Sequence, residues 1–192
     1  MSHYPAGNLE EKPIVKRLRA QFPEAIEKLT DHRGDLAVWL PRDPIVDIAR
    51  FLRDDPACDF NFLIDIAGAD WLGREPRFDV VYHLYSLGHN HRLRLHVGVP
   101  EDDPTIDSVI GVWRGADWFE RECYDLLGVL FRGHPFLRRI LTHDDFQGHA
   151  LRKDYDQRQR WRCTAVSDLE STVDVPAKAA TANNAAKSLE VK

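Results

Sequence analysis

Two stretches that alternate apolar and polar residues, Phe78–Leu87 and His91–Val99, are separated only by Gly88-His89-Asn90. A period of two puts one set of side chains on each face of an extended strand. A three-residue link leaves room only for a tight turn, so the pair reads as an antiparallel hairpin. An isolated hairpin is marginal in water, so the rest of the chain must set strands beside it or helices upon it.

The flanking segments supply both. Gly34 to Pro41 is a short apolar run closed by turn residues and reads as a strand. Phe60, Phe62, Ile64 and Ile66 alternate with Asn61, Leu63 and Asp65, which predicts a strand burying the first four; Gly68 to Gly73 reads as the loop after it. Within Leu9–Leu29 the spacing of Ile14, Val15, Leu18 and Phe22, interrupted by Pro13 and Pro23, predicts one or two short amphipathic helices. Asp43-Pro44 offers an N-cap with proline at the first helical position, and Ile45, Ile48, Ala49 and Leu52 share one face before Asp55-Pro56 stops the helix. Ile106, Val109, Ile110 and Trp113 predict a helix over 104–113, and Asp117-x-x-Glu120 predicts the capped start of another that Gly128 ends in a left-handed turn.

This order predicts an α+β fold: a mostly antiparallel sheet with helices packed on it, followed by an extended irregular C-terminal region. Its expected divisions are a helical N-terminal segment (1–33), an α+β core (34–128), a charged docking extension (129–163) and a low-complexity flexible tail (164–192). The tail is rich in Ala, Ser, Thr, Asn and Val and has no aromatic residue, so it has little to bury against its ordering entropy.

With 192 residues, 43% of them apolar, the chain is long enough for one core without metal or disulfide support. No run of about 18 apolar residues is present, and the N-terminus lacks a basic stretch followed by an apolar core. Membrane attachment is therefore expected only through a partner. Three cysteines, Cys58, Cys123 and Cys163, with no CxxC, point to reduced thiols. Acidic residues outnumber basic ones, 31 to 26, which argues against nucleic-acid binding despite a cationic strip over 131–162.

Catalytic constellations are sparse. His83, His89, His91 and His96 cluster around the hairpin, and His83 and His96 are expected to face each other across the strands, but no carboxylate or cysteine spacing completes a metal ligand set. The pairs Glu120 with Glu122 and Asp144 with Asp145 are poor acid–base candidates, because residues two apart on a helix diverge and loop neighbours are solvated. Glycine-rich phosphate loops, HExxH and GxSxG are absent from the sequence.

The dense feature is charge on an aromatic and apolar frame. Glu120, Arg121 and Glu122 sit on adjacent faces of a helix that must bury Phe119, Cys123 and Leu126, with Arg138, Arg139 and Arg152 as possible partners. Both an internal salt network and contacts between proteins fit this pattern.

The pattern E-R-E-x-x-D-L-L, six residues, His134, three residues and R-x-I-L spans 120–141, and Gly148-His149 and Leu151-Arg-Lys-Asp-Tyr155 extend it. It resembles the signature of the 30 kDa subunit family of respiratory complex I, known in the bacterial NADH-quinone oxidoreductase as the C subunit. Similarity extends over about 35–162. Ala150 and Asp156 stand where that family usually has proline.

The resemblance implies a cofactor-free, non-catalytic subunit of the peripheral arm, on the cytoplasmic side of the bacterial inner membrane. It would dock on the D subunit, which lines the quinone cavity, and on other peripheral-arm subunits, and support assembly, while FMN, iron-sulfur clusters and quinone belong to other subunits. The residues it assigns to the interface or charge network are Glu120, Arg121, Glu122, Asp125, His134, Arg138, Arg139, Arg152, Lys153, Asp154 and Tyr155. Rival readings are the equivalent subunit of a membrane-bound hydrogenase or ferredoxin-plastoquinone oxidoreductase and, more remotely, a stand-alone metal-dependent enzyme.

Overall fold

The computed structural model describes residues 8–156 and 158. The chain divides into two compact units, Met1–Asp156 and Gln157–Lys192, and the fold below is that of the first. The expected tail over 164–192, like Cys163, lies outside the described residues.

A 3-10 turn (Leu9–Glu11) leads into α1 (Pro13–Gln21), β1 (Lys28–His32), β2 (Asp35–Leu40), α2 (Ile45–Asp54), β3 (Phe62–Asp70), β4 (Phe78–Ser86) and β5 (His91–Val99). Then come β6 (Thr105–Asp107), α3 (Ala116–Leu127) and β7 (Leu130–Arg132). Five strands form one sheet in the order β1-β2-β5-β4-β3. All neighbours are antiparallel except β2 with β5, so the fold is α+β with a mostly antiparallel sheet. The hairpin of β4 and β5 stands inside it, with Phe78 opposite Val99 and Ser86 opposite His91.

The helices bury their apolar stripes in one core. Val15 and Leu18 of α1, Ile45, Ile48 and Leu52 of α2, and Cys123 and Leu127 of α3 join Val38, Leu40, Val80, Tyr82, Leu84, Leu95 and Val97 from the sheet. Burying aliphatic side chains of this size stabilises by roughly 1.5–3 kcal/mol each. Glycine decides one close approach: at Gly68 a Cβ would stand 2.2 Å from Leu127 Cδ1, so β3 lets α3 lie against it.

Several expectations need correction. β1 lies inside the segment expected to be helical; its apolar content is low, and pairing with β2 forms it. β3 runs on to Asp70, because Gly68, Ala69 and Asp70 pair with Val80, Asp79 and Phe78. A register shift between Leu63 and Asp65 breaks the alternation, so Leu63 is buried while Phe62 and Ile64 are 49% and 40% exposed. The segment expected as a helix over 104–113 is β6 followed by turns, since Thr105–Asp107 pairs with Leu130–Arg132 and the Ser108 N–H donates to the Arg132 carbonyl. α2 begins after Pro44 with no side-chain cap, and α3 begins after Gly115 rather than on an Asp117–Glu120 capping pair. Gly128 does end α3, at φ +79°.

Candidate functional site

α3 carries the charged signature, and its amphipathic placement against β3 forces part of that charge inward. Glu120 is fully buried. Its carboxylate accepts from the Val109 N–H at 2.8 Å and the Ser108 hydroxyl at 2.6 Å. Because α3 begins at Ala116, Glu120 lies in its second turn, where it serves the turn at 108–109 and not the helix end. Burial pushes its carboxyl up to about 7 against the lowering effect of those two donors, with Asp117 adding a smaller upward push.

Asp125, further along the same helix, is equally buried but better served. The N–H groups of Ile140, Leu141 and Thr142 donate to it at 2.8–3.0 Å and Arg139 Nη1 at 2.8 Å, and the Thr142 hydroxyl is a further donor. Burial alone raises such a carboxyl, but the Thr142 hydroxyl and N–H, Arg139 and the Leu141 N–H outweigh it and hold Asp125 well below the usual carboxylate range. Arg139 also donates to the Gly148 carbonyl at 2.9 Å. One carboxylate and one guanidinium thus fold the chain after β7 back over the end of α3.

A second clamp joins Asp154 and Lys153 of the signature to two residues outside it. Arg77, 2% exposed, holds Asp70 through Nε and Nη2 at 2.9 and 2.8 Å, reaches Glu101, and meets Asp154 at 2.7 Å. The Lys153 N–H donates to the same Asp70 at 2.7 Å. Arg77 lies far along the chain from Asp154 and belongs to no motif, so only the fold reveals the pairing. Asp70 is held low by the Arg77 guanidinium, despite burial, and Asp154 likewise.

The other signature residues are placed as follows. Arg121 donates to the carbonyls of Arg138 and Arg139 at 3.2 and 3.3 Å. The Arg138 guanidinium lies 4.3 Å over the Phe136 ring. Glu122 is exposed. The His134 side chain is buried, with Nε2 3.2 Å from Asp117 Oδ1. Arg152 donates to the Leu127 carbonyl at 2.7 Å, and Tyr155 stacks on Phe146 with ring centroids 5.7 Å apart. Of the partners suggested for α3, Arg139 meets Asp125, whereas Arg138 and Arg152 engage an aromatic ring and a carbonyl. Outward there remain Trp118 at 64% and Phe136 at 53% exposure, with Glu122, Arg138 and Lys153.

The hairpin histidines do not converge. His83 stands opposite Arg94 and His96 opposite Val81, which corrects the expectation that they face each other. His89 and His91 hydrogen-bond to the carbonyls of Pro56 and Cys58. Among the described residues no group of three or more His, Cys, Asp or Glu is arranged to hold a metal ion. Nor is any described helix long and apolar enough to cross a membrane. Cys58 and Cys123 are free, buried thiols.

Residues 38–160 match the family described as respiratory-chain NADH dehydrogenase, 30 Kd subunit. The C subunit of NADH-quinone oxidoreductase from Roseiflexus sp. (strain RS-1) is 51% identical over 146 residues, covering 76% of this chain and 84% of that protein. The protein of the same name from Geobacter sulfurreducens is 48% identical over 147 residues, covering 76% and 90%. A solved trypsin-resistant fragment (1-134) of Nqo5 superposes with TM-score 0.55 at 38% identity, over 65% of this chain and 96% of that one. A chain of the archaeal membrane-bound sulfane sulfur reductase shares the fold, with TM-score 0.65 at 24% identity over 84% and 92%. The chain belongs to the family of the 30 kDa subunit of respiratory-chain NADH dehydrogenase.

Proposed function

We propose that this chain works as the C subunit of a NADH-quinone oxidoreductase, a cofactor-free part of the peripheral arm that docks on the D subunit at the quinone site and supports assembly of that arm. The docking surface is the outer side of α3 and the extension folded against it. Glu120, Asp125 and Arg139 act inside the chain, as do Arg77 and Asp154, and they hold that surface in shape. Trp118, Glu122, Phe136, Arg138 and Lys153 are the groups offered to the partner.

The observation that carries the reading is the division of labour within the signature. Its buried carboxylates have internal donors, while two large aromatics and a guanidinium beside them stay exposed, and aromatics with arginine are the residue types that dominate interface energetics. Membrane attachment then comes through the complex, on the cytoplasmic side of a bacterial inner membrane. FMN, iron-sulfur clusters and quinone are assigned to other subunits.

The test is to replace the chromosomal copy with Trp118→Ala/Arg138→Glu and measure recovery of the assembled complex and its NADH:quinone activity in membranes. Loss of both, with the purified variant still folded, is the expected result. Assembly at the parent level, or a complex lacking this chain, would refute the reading. Co-purifying subunits also separate it from the equivalent subunit of a related respiratory complex, such as a membrane-bound hydrogenase or ferredoxin-plastoquinone oxidoreductase.

A further inference from the structure

All three helices donate their buried side chains to one face of the sheet, and no helix among the described residues lies on the other. An antiparallel sheet with a wet face normally carries polar residues there. This one mixes them with apolar and aromatic groups. The strand registers align Ala67, Val81, His96 and Trp39 in one outward row, Asp65, His83, Arg94 and Ala37 in the next, and Phe62, Tyr85 and Arg92 beyond. Ile64, thrown outward by the register shift, and Trp71 add exposed apolar surface.

Polar groups on this face are only partly satisfied. Asp79 is taken by Arg74 and by Trp71 Nε1. Arg94 forms no ion pair among the described residues, its Nε is buried without a hydrogen-bond partner, and both ring nitrogens of His96 are in the same state. Among the described residues, Arg92 has only the Tyr85 ring, 5.9 Å away. A hollow of about 230 Å³ opens between Ile64, His83, Arg92 and Arg94, rimmed by Asp35. Among the described residues, Asp35 and Asp65 share the face without an ion pair to either arginine. An occupant that brings acceptors to these two guanidiniums, unpaired among the described residues, and apolar groups to the surface around them complements this face in charge and in polarity.

We propose that the outer sheet face is a second docking surface, occupied by a segment of another subunit of the same complex. That segment lays a carboxylate side chain between Arg92 and Arg94 and apolar side chains over Ile64, Phe62 and Val81. The inference rests on the reading of the chain as part of a multisubunit complex, but it uses a different side of the molecule from the charged signature.

The test places a photo-crosslinking amino acid at position 64 or, separately, at position 136, in the full chain within its native complex, and identifies the captured peptides. Position 64 is expected to capture a co-purifying subunit at a peptide with Asp or Glu beside apolar residues. Ile64→Asp and Arg94→Glu are each expected to lower recovery of the chain with the complex about tenfold or more, the size of one lost interface contact worth about 1.4 kcal/mol. Circular dichroism of the purified variants checks that they fold. If a variant fails to fold, the crosslinking arm decides.

Capture of another subunit at 136, together with only a second copy of this chain or no product at 64, would overturn the inference and leave the α3 reading standing. Parent-level recovery of both folded variants would also overturn it. Silence at both positions would remove both readings.

Discussion

Glu120 and Asp125 are fully buried carboxylates on one helix, and they have opposite consequences for stability. Glu120 is pushed up to about 7 from 4.5, so its contribution is complete below 4.5 and is lost as pH rises through 7. Replacing it by Gln keeps an acceptor for Val109 and a polar partner for Ser108 while removing the ionisation. Glu120→Gln is expected to gain on the parent between pH 4.5 and 7, levelling at about 3 kcal/mol, read as the difference between their urea midpoints across pH. The difference is the diagnostic quantity, because burial lowers His96 to about 4 and its effect runs the other way, with stability growing as pH rises toward 6.5. Asp125 is held below its usual range, so its stabilisation is present above about 4 and fails in acid. Asp125→Ala leaves Arg139 and three N–H groups without their acceptor and is expected to cost about 3–5 kcal/mol by denaturant titration.

At the scale of elements, local pattern and tertiary demand can be told apart. The central hairpin and the helices α1 and α2 announce themselves through periodicity, because a strand repeats every two residues and a helix every 3.6 in any context, while β2 shows as an apolar run between turn residues and α3 by the glycine that ends it. The segment over 104–113 has equally good helical spacing, yet its backbone groups go to β7, Arg132 and Glu120. Gly128 is where helix end and extension meet: φ is +79°, and a Cβ would stand 2.6 Å from the His149 ring and 2.7 Å from Arg152. Gly128→Ala is therefore expected to cost about 2 kcal/mol or more, from left-handed strain plus the clash, seen as a lowered melting temperature.

At the scale of the whole molecule, two buried ion-pair clusters tie the extension to the core, Asp125 with Arg139 and Arg77 with Asp70 and Asp154, beside hydrogen bonds such as that from Arg152 to the Leu127 carbonyl. Arg77→Met would strand the Asp70 carboxylate, whose side chain is 0% exposed, at an expected cost of about 3–5 kcal/mol. Its contact to Asp154, which is 50% exposed, adds little to that. Hydrogen exchange at the Lys153 amide, which donates to Asp70, should quicken well before the central strands respond. The sequence by itself determined the hairpin, the three helices, the left-handed stop at Gly128 and the charged signature that marks the family, since each is written in residues close together in the chain. Only the tertiary structure decided which of those charges turn inward, that Phe62 and Ile64 face out, that β1 and β6 are strands, and that Arg77 is the hub of the second clamp. Those outcomes depend on groups brought together from distant parts of the chain, and a buried charge settles where the fold supplies its partners.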